Sequence, residues 1–191
     1  IDIPSASQSW MGAVKYTDYA INAFLKDAQK KPWFNNTLFV IVADHCSSSA
    51  GKTDLPVTRY HIPCLLYAPA LIMPTIEERF TSQIDLAPTV LGMMNLDYTS
   101  TFMGYDMFRL QPGKERIFIS TYQDMGYVKH DTLVILSPQR KMAMYKTDFA
   151  TGQSVKIPNS EKLANEAIAW YQGASFLFTE KRYKKNGDIN R

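Results

Sequence analysis

The chain is short of cysteine, histidine, long apolar runs and net charge, and each shortage excludes something. Two cysteines, Cys46 and Cys64, make neither a disulfide framework nor a zinc knuckle. Buried thiols are expected for both, and a pairing would require an oxidising compartment. The apolar runs at 38–43 and 62–70, the second broken by prolines, are far too short to span a bilayer. The N-terminus has no basic-then-apolar signal segment and no initiator Met; it opens on Ile1-Asp2-Ile3-Pro4 and reads as a fragment or a processed piece. With 21 basic against 18 acidic residues and a net charge of +3, nothing demands nucleic acid or an anionic membrane as a partner. A phosphate loop is missing too. Ala50-Gly51-Lys52-Thr53 lacks that motif's first glycine, follows no strand directly and opens no helix. What is present is apolar and aromatic. A hydrophobic share of 46% over 191 residues supplies one sizeable core, or one domain with a small appendage. The 11 Tyr, 10 Phe and 3 Trp exclude global disorder.

Taken in order, residues 1–9 are small and polar and read as an entry loop. From Trp10, the residues Trp10, Val14, Ile21, Phe24, Leu25 and Ala28 fall at helical spacing. Ser9 is placed to cap this helix, and Lys30-Lys31-Pro32 ends it with cations and a breaker. A short connector leads into Asn36-Thr37-Leu38-Phe39-Val40-Ile41-Val42-Ala43-Asp44-His45. That unbroken β-branched run predicts a strand buried on both faces, as in a parallel sheet. A helix joined by a short loop to such a strand is half of a β-α-β crossover. Residues 46–54 form a small, polar loop. Ile62 to Pro69 predicts a second buried strand framed by prolines. Asp85 is predicted to cap a helix from Leu86 to about Met94, with Pro88 tolerated in its first turn.

The pattern changes after about residue 110. Short strands are predicted at 116–120, 126–129, 132–136 and 141–146, with turns at His130-Asp131 and Ser137-Pro138-Gln139. Close spacing without intervening helices argues an antiparallel meander. A last helix from about Ser160 to Phe178 has Leu163, Ala167, Ile168, Tyr171 and Leu177 as its buried stripe, followed by a basic, frayed tail. The fold class is therefore α/β, with a first part at 1–110 and a small antiparallel meander plus C-terminal helix at 111–191.

Chemistry concentrates at the end of the first strand, because ligands of open α/β sheets bind beyond the strands' carboxyl ends. Asp44 is a hard anionic ligand, and a neutral His45 imidazole accepts zinc or manganese. Such an ion offsets negative charge on a phosphoryl or sulfuryl group and lowers the pKa of a bound nucleophile. The bland alternative is a loop-capping Asp44 and a surface His45. Two ligands fall short of the three that a catalytic site normally needs, and no CxxC, HExxH or second carboxylate cluster supplies more. His61 precedes the second strand, away from the site by strand polarity, although the loop before it could hold it close. Lys52 is either a counter-charge for an anionic substrate or a solvated loop lysine. His130 lies in a hairpin turn and reads as exposed and inert.

Four motifs in order resemble the sulfatase and alkaline-phosphatase superfamily: Tyr16-Thr17-Asp18, the strand from Asn36 to His45, Ile62 to Pro69, and Ile84-Asp85-Leu86-Ala87-Pro88-Thr89-Val90-Leu91. The first two are most similar to its lipoteichoic-acid-synthase-like branch, the phosphoglycerol transferases. The resemblance runs from about residue 10 to residue 92 and covers the later meander and helix only in outline. It implies a partial alkaline-phosphatase-like parallel sheet with flanking helices, residues 1–110 being the C-terminal portion of that core. It implies that Asp44 and His45 bind one divalent ion, manganese in the transferases and calcium or magnesium in sulfatases. It also implies that Lys52 contacts the anionic group of the substrate, and that His61 stands where an arginine is more usual. The expected substrate is an anionic phospholipid head group or a sulfate or phosphate ester, on the extracytoplasmic face of a bacterial membrane. The family's nucleophile lies well upstream of the Asp-His strand. The chain then reads as the C-terminal part of a longer enzyme and is itself inert, its necessary partner being the missing N-terminal part. A sulfatase and a non-catalytic binding module derived from the superfamily are the alternatives.

Overall fold

The computed structural model describes residues 10–46 and 55–183. Ser9 as a cap, Lys52 and most of the basic tail lie outside the described residues. The chain divides into two compact units: Ile1–Ala43 with Pro63–Ile76, and Asp44–Ile62 with Glu77–Arg191. The second strand and the loop before it fall in different units.

The first unit holds helix α1 (Trp10–Ala28) and strands β1 (Phe39–Val42) and β2 (Cys64–Tyr67). A 3₁₀ turn at Phe34–Asn36 delivers the chain from the lysine-rich end of α1 into β1. The strands pair antiparallel, with Phe39 opposite Tyr67 and Val42 opposite Cys64. The expectation of a parallel sheet is corrected here. An unbroken apolar run reveals a strand but not its direction; direction is set by the connection, and parallel neighbours need a crossover, usually a helix. Among the described residues between β1 and β2 there is only the 3₁₀ turn Val57–Tyr60. Burial on both faces is corrected as well. Phe39 and Ile41 are half-buried, whereas Val40 and Val42 are exposed. Phe39 packs among the rings of Phe24, Trp33, Phe34 and Tyr67, at centroid distances of 5.5–6.2 Å. Of the predicted α1 stripe, Ala28 is buried and Ile21 and Leu25 are half-buried, but Val14 and Phe24 are largely exposed.

The second unit holds α2 (Leu86–Met93), strands β3 (Ile117–Ser120), β4 (Met125–Lys129), β5 (Thr132–Ser137), β6 (Lys141–Thr147) and β7 (Ser154–Ile157), and α3 (Glu161–Thr179). The five strands form one sheet in sequence order, all neighbours antiparallel. This is the predicted meander with a fifth strand, β7, that the sequence reading omitted. Period-two alternation sends Tyr127, Val134 and Met144 to one face, where Ala164 and Ala167 of α3 meet them. It sends Ile119, Val128 and Leu133 to the other, against Leu55 and Val57. The small Ala164 and Ala167 let α3 approach the sheet closely. Burying a side chain the size of Leu133 contributes about 1.5–3 kcal/mol. Ser160 caps α3, accepting the Leu163 N–H on its hydroxyl. Among the described residues no helix is long and apolar enough to cross a membrane.

Candidate metal centre

Asp44 and His45 form a bend directly after β1, where the chain leaves the ribbon and can no longer donate to a ladder. Asp44 accepts the His45 backbone N–H on Oδ1 at 2.9 Å, a local Asx-type bond. His45 Nδ1 lies 2.8 Å from the Cys46 carbonyl. A carbonyl only accepts, so Nδ1 carries a proton, and in the neutral ring Nε2 is the nitrogen with the free lone pair. That Nε2 lies 3.6 Å from Asp44 Oδ2, and the two side chains are 68% and 89% exposed.

These donors fit a divalent ion. Two ligand atoms about 2.1 Å from one ion, at angles between octahedral and tetrahedral, stand roughly 3.0–3.4 Å apart. The observed 3.6 Å is within a small side-chain rotation of that. An imidazole whose other nitrogen is held by a carbonyl is also the usual posture of a ligating histidine. The pair does not complete a shell by itself, and no group of three potential ligands occurs among the described residues.

His61 is exposed at the end of the 3₁₀ turn Val57–Tyr60, and no hydrogen bond or ion pair joins it to Asp44 or His45 among the described residues. His130 is exposed at φ 51° in the β4–β5 turn, as expected of an inert turn residue. Both cysteines are thiols. Cys46 is buried as expected, but Cys64 is exposed, at the end of the ribbon opposite the likewise exposed Val42. Burial nonetheless pushes the Cys64 thiol above its ordinary pKa. Tyr60 is raised by burial first and by the Cys46 sulfur second, and its hydroxyl donates to the Ser120 carbonyl at 3.1 Å.

Two residues that hold the site in place escaped sequence reasoning. Gln83 donates from Nε2 to the Asp44 carbonyl at 3.1 Å, tying the bend to the 3₁₀ turn Gln83–Asp85. That turn is fixed in turn by Asp85. The expectation that Asp85 caps α2 is corrected: its carboxylate makes no bond to that helix. Instead it accepts the Ser82 N–H at 2.9 Å and the Tyr105 N–H at 2.8 Å. It also takes Arg116 through two nitrogens at 2.7 and 2.8 Å. Both partners are almost completely buried. The Arg116 guanidinium also lies 4.5 Å from the Tyr105 ring centre and 4.9 Å from that of Trp170. A pair so far apart in sequence leaves no local signal.

Residues 5–96 match the family model described as Sulfatase. A solved structure of a protein in the alkaline phosphatase superfamily from Vibrio parahaemolyticus is similar over 97% of this chain and 45% of that one, with a TM-score of 0.89 and 29% sequence identity. The chain spans less than half the length of that relative. The mixed α/β architecture, with its antiparallel sheets and C-terminal helix, is that of an alkaline phosphatase superfamily fold.

Proposed function

We propose that the chain is the C-terminal part of a metal-dependent phosphoglycerol transferase or phosphodiesterase of the sulfatase superfamily. The observation that carries this reading is the aligned pair of donors, His45 Nε2 and Asp44 Oδ2, 3.6 Å apart at the end of β1. Asp44 and His45 would hold one divalent ion, manganese as the first choice. When bound, that ion supplies charge neutralisation for a phosphoryl group and a lowered pKa for a nucleophile. This chain's own part is to fix those two donors. The Cys46 carbonyl sets the imidazole, and Gln83 anchors the bend. Lys52 and His61 are assigned to the anionic substrate, an ester such as a phospholipid head group outside the cytoplasm. The nucleophile and the remaining ligands come from the rest of a longer protein, a reading supported by a relative more than twice as long.

The 191-residue chain alone should bind Mn²⁺ weakly and should not turn over a p-nitrophenyl phosphodiester; robust turnover would overturn the assignment. In the longer protein, Asp44→Asn or His45→Ala should cut turnover by more than about 100-fold, since even outer-shell partners cost 10–100-fold. The family model matched by residues 5–96 favours a second reading, a sulfatase. Preference of the longer protein for p-nitrophenyl sulfate over the phosphodiester would select it.

A further inference from the structure

A cleft of about 260 Å³ lies in the second unit, lined by Tyr105, Lys114, Tyr127, Lys129, Glu166 and Trp170 together with Arg116. It shares no residue with the Asp44–His45 bend. Most of its charge is already spent. Arg116 is answered by Asp85 and Lys129 by Glu166. Two groups are not. Lys114 is exposed, and its ammonium has no ion-pair partner among the described residues. Glu166 takes both Lys129 and the Tyr127 hydroxyl on Oε1, leaving Oε2 as an open acceptor. Tyr105 and Trp170 stand edge to face at 5.8 Å; Arg116 lies over both rings, and the half-buried Trp170 supplies an apolar wall where its indole extends past the guanidinium.

One cation, one carboxylate oxygen and an aromatic wall are three different demands. The cation wants an anionic group, the carboxylate a hydroxyl, and the rings a flat C–H face. The volume is below the roughly 300–1,000 Å³ of drug-sized pockets and admits about one ring. We propose that this cleft binds a monosaccharide carrying a single anionic group. That group sits on Lys114, a hydroxyl donates to Glu166 Oε2, and the ring face lies against Trp170.

Nitrogen–proton correlation spectra of the 191-residue chain, without divalent metal and at constant ionic strength, test this directly. The Trp170 indole signal is assigned with Trp170→Phe. Glucose 6-phosphate and glucuronate, the phosphate and carboxylate forms of the ligand, should shift that signal saturably, and whichever binds tighter names the anionic group. Lys114→Gln, at an exposed position, should weaken binding about tenfold, one charge-assisted contact. Glu166→Gln should lower the advantage of the sugar phosphate over inorganic phosphate. A Trp170 signal unmoved by either sugar, or titrations unchanged by Lys114→Gln, would overturn the site. Inorganic phosphate binding as tightly as the sugar phosphate would overturn the sugar assignment. None of these readouts depends on a metal at Asp44 and His45.

Discussion

The two units are built from similar apolar residues and use them in opposite ways. In the second, a five-stranded sheet is covered on one face by α3 and on the other by Leu55 and Val57, and Tyr127, Val134 and Met144 are completely inaccessible. In the first, Ala28, Phe34 and Ala68 are the buried apolar side chains among the described residues. Val40, Val42, Leu65, Leu71, Met73 and Ile76 face outward, the last two at 85% and 87% exposure. A two-stranded ribbon has two faces and α1 covers only part of one; isolated two-stranded pairs are marginal in water. The comparison separates a region that completes its own core from one whose apolar faces stay open. The candidate metal ligands Asp44 and His45 belong to the second unit.

The contrast predicts a graded set of stability effects. Arg116→Ala should cost the most, about 3–5 kcal/mol, because it strands the Asp85 carboxylate in a buried site. Urea unfolding measures it, and a cost under about 1 kcal/mol would mean that the pair is not a keystone. Leu133→Ala, 2% exposed, should follow at about 2–5 kcal/mol.

Acid should act next and more weakly. Burial raises Glu166, but the Lys129 and Tyr127 hydrogen bonds outweigh it, so its pKa is lowered overall. A depressed carboxylate pKa contributes stability that is present above the unfolded-state value and is lost as pH falls through the folded one. The wild-type melting temperature should therefore fall through and below the ordinary carboxylate range. Glu166→Gln should flatten that fall; an identical profile would remove Glu166 from the account.

Leu65→Ser, half exposed on β2, should change the stability of this chain by no more than about 0.5 kcal/mol. In the longer protein the same substitution should cost several times more, if the ribbon's face is covered there. Equal costs in both would break the distinction between the units.

Much of the second unit was legible because local chemistry and tertiary packing agree there. The period of two in Tyr127-Val128 and Leu133-Val134, the turn at His130-Asp131 and the Ser160 cap all act over a few residues. The strand β7 was legible and passed over. Asp148 accepts the Ala150 N–H at 2.9 Å, and Gly152 sits at φ 75°. That is an Asx turn leading into the β-branched Val155 and Ile157. Asp44 and His45 stood out because two ligand types follow an apolar run, a signal contained in ten residues. Gln83 was not, since its bond to the Asp44 carbonyl spans 39 positions.

By itself, the sequence determined where most strands and helices form, that a meander is followed by a helix, and that a carboxylate and an imidazole stand together after a strand. Periodicity, turn residues and caps are local properties, written in consecutive side chains. Tertiary structure decided that β1 and β2 run antiparallel, that Asp85 serves Arg116 rather than α2, and which of two equally apolar faces is covered. Those outcomes depend on which distant surfaces meet, and a burial or a buried charge acquires its energy only from the partner that arrives.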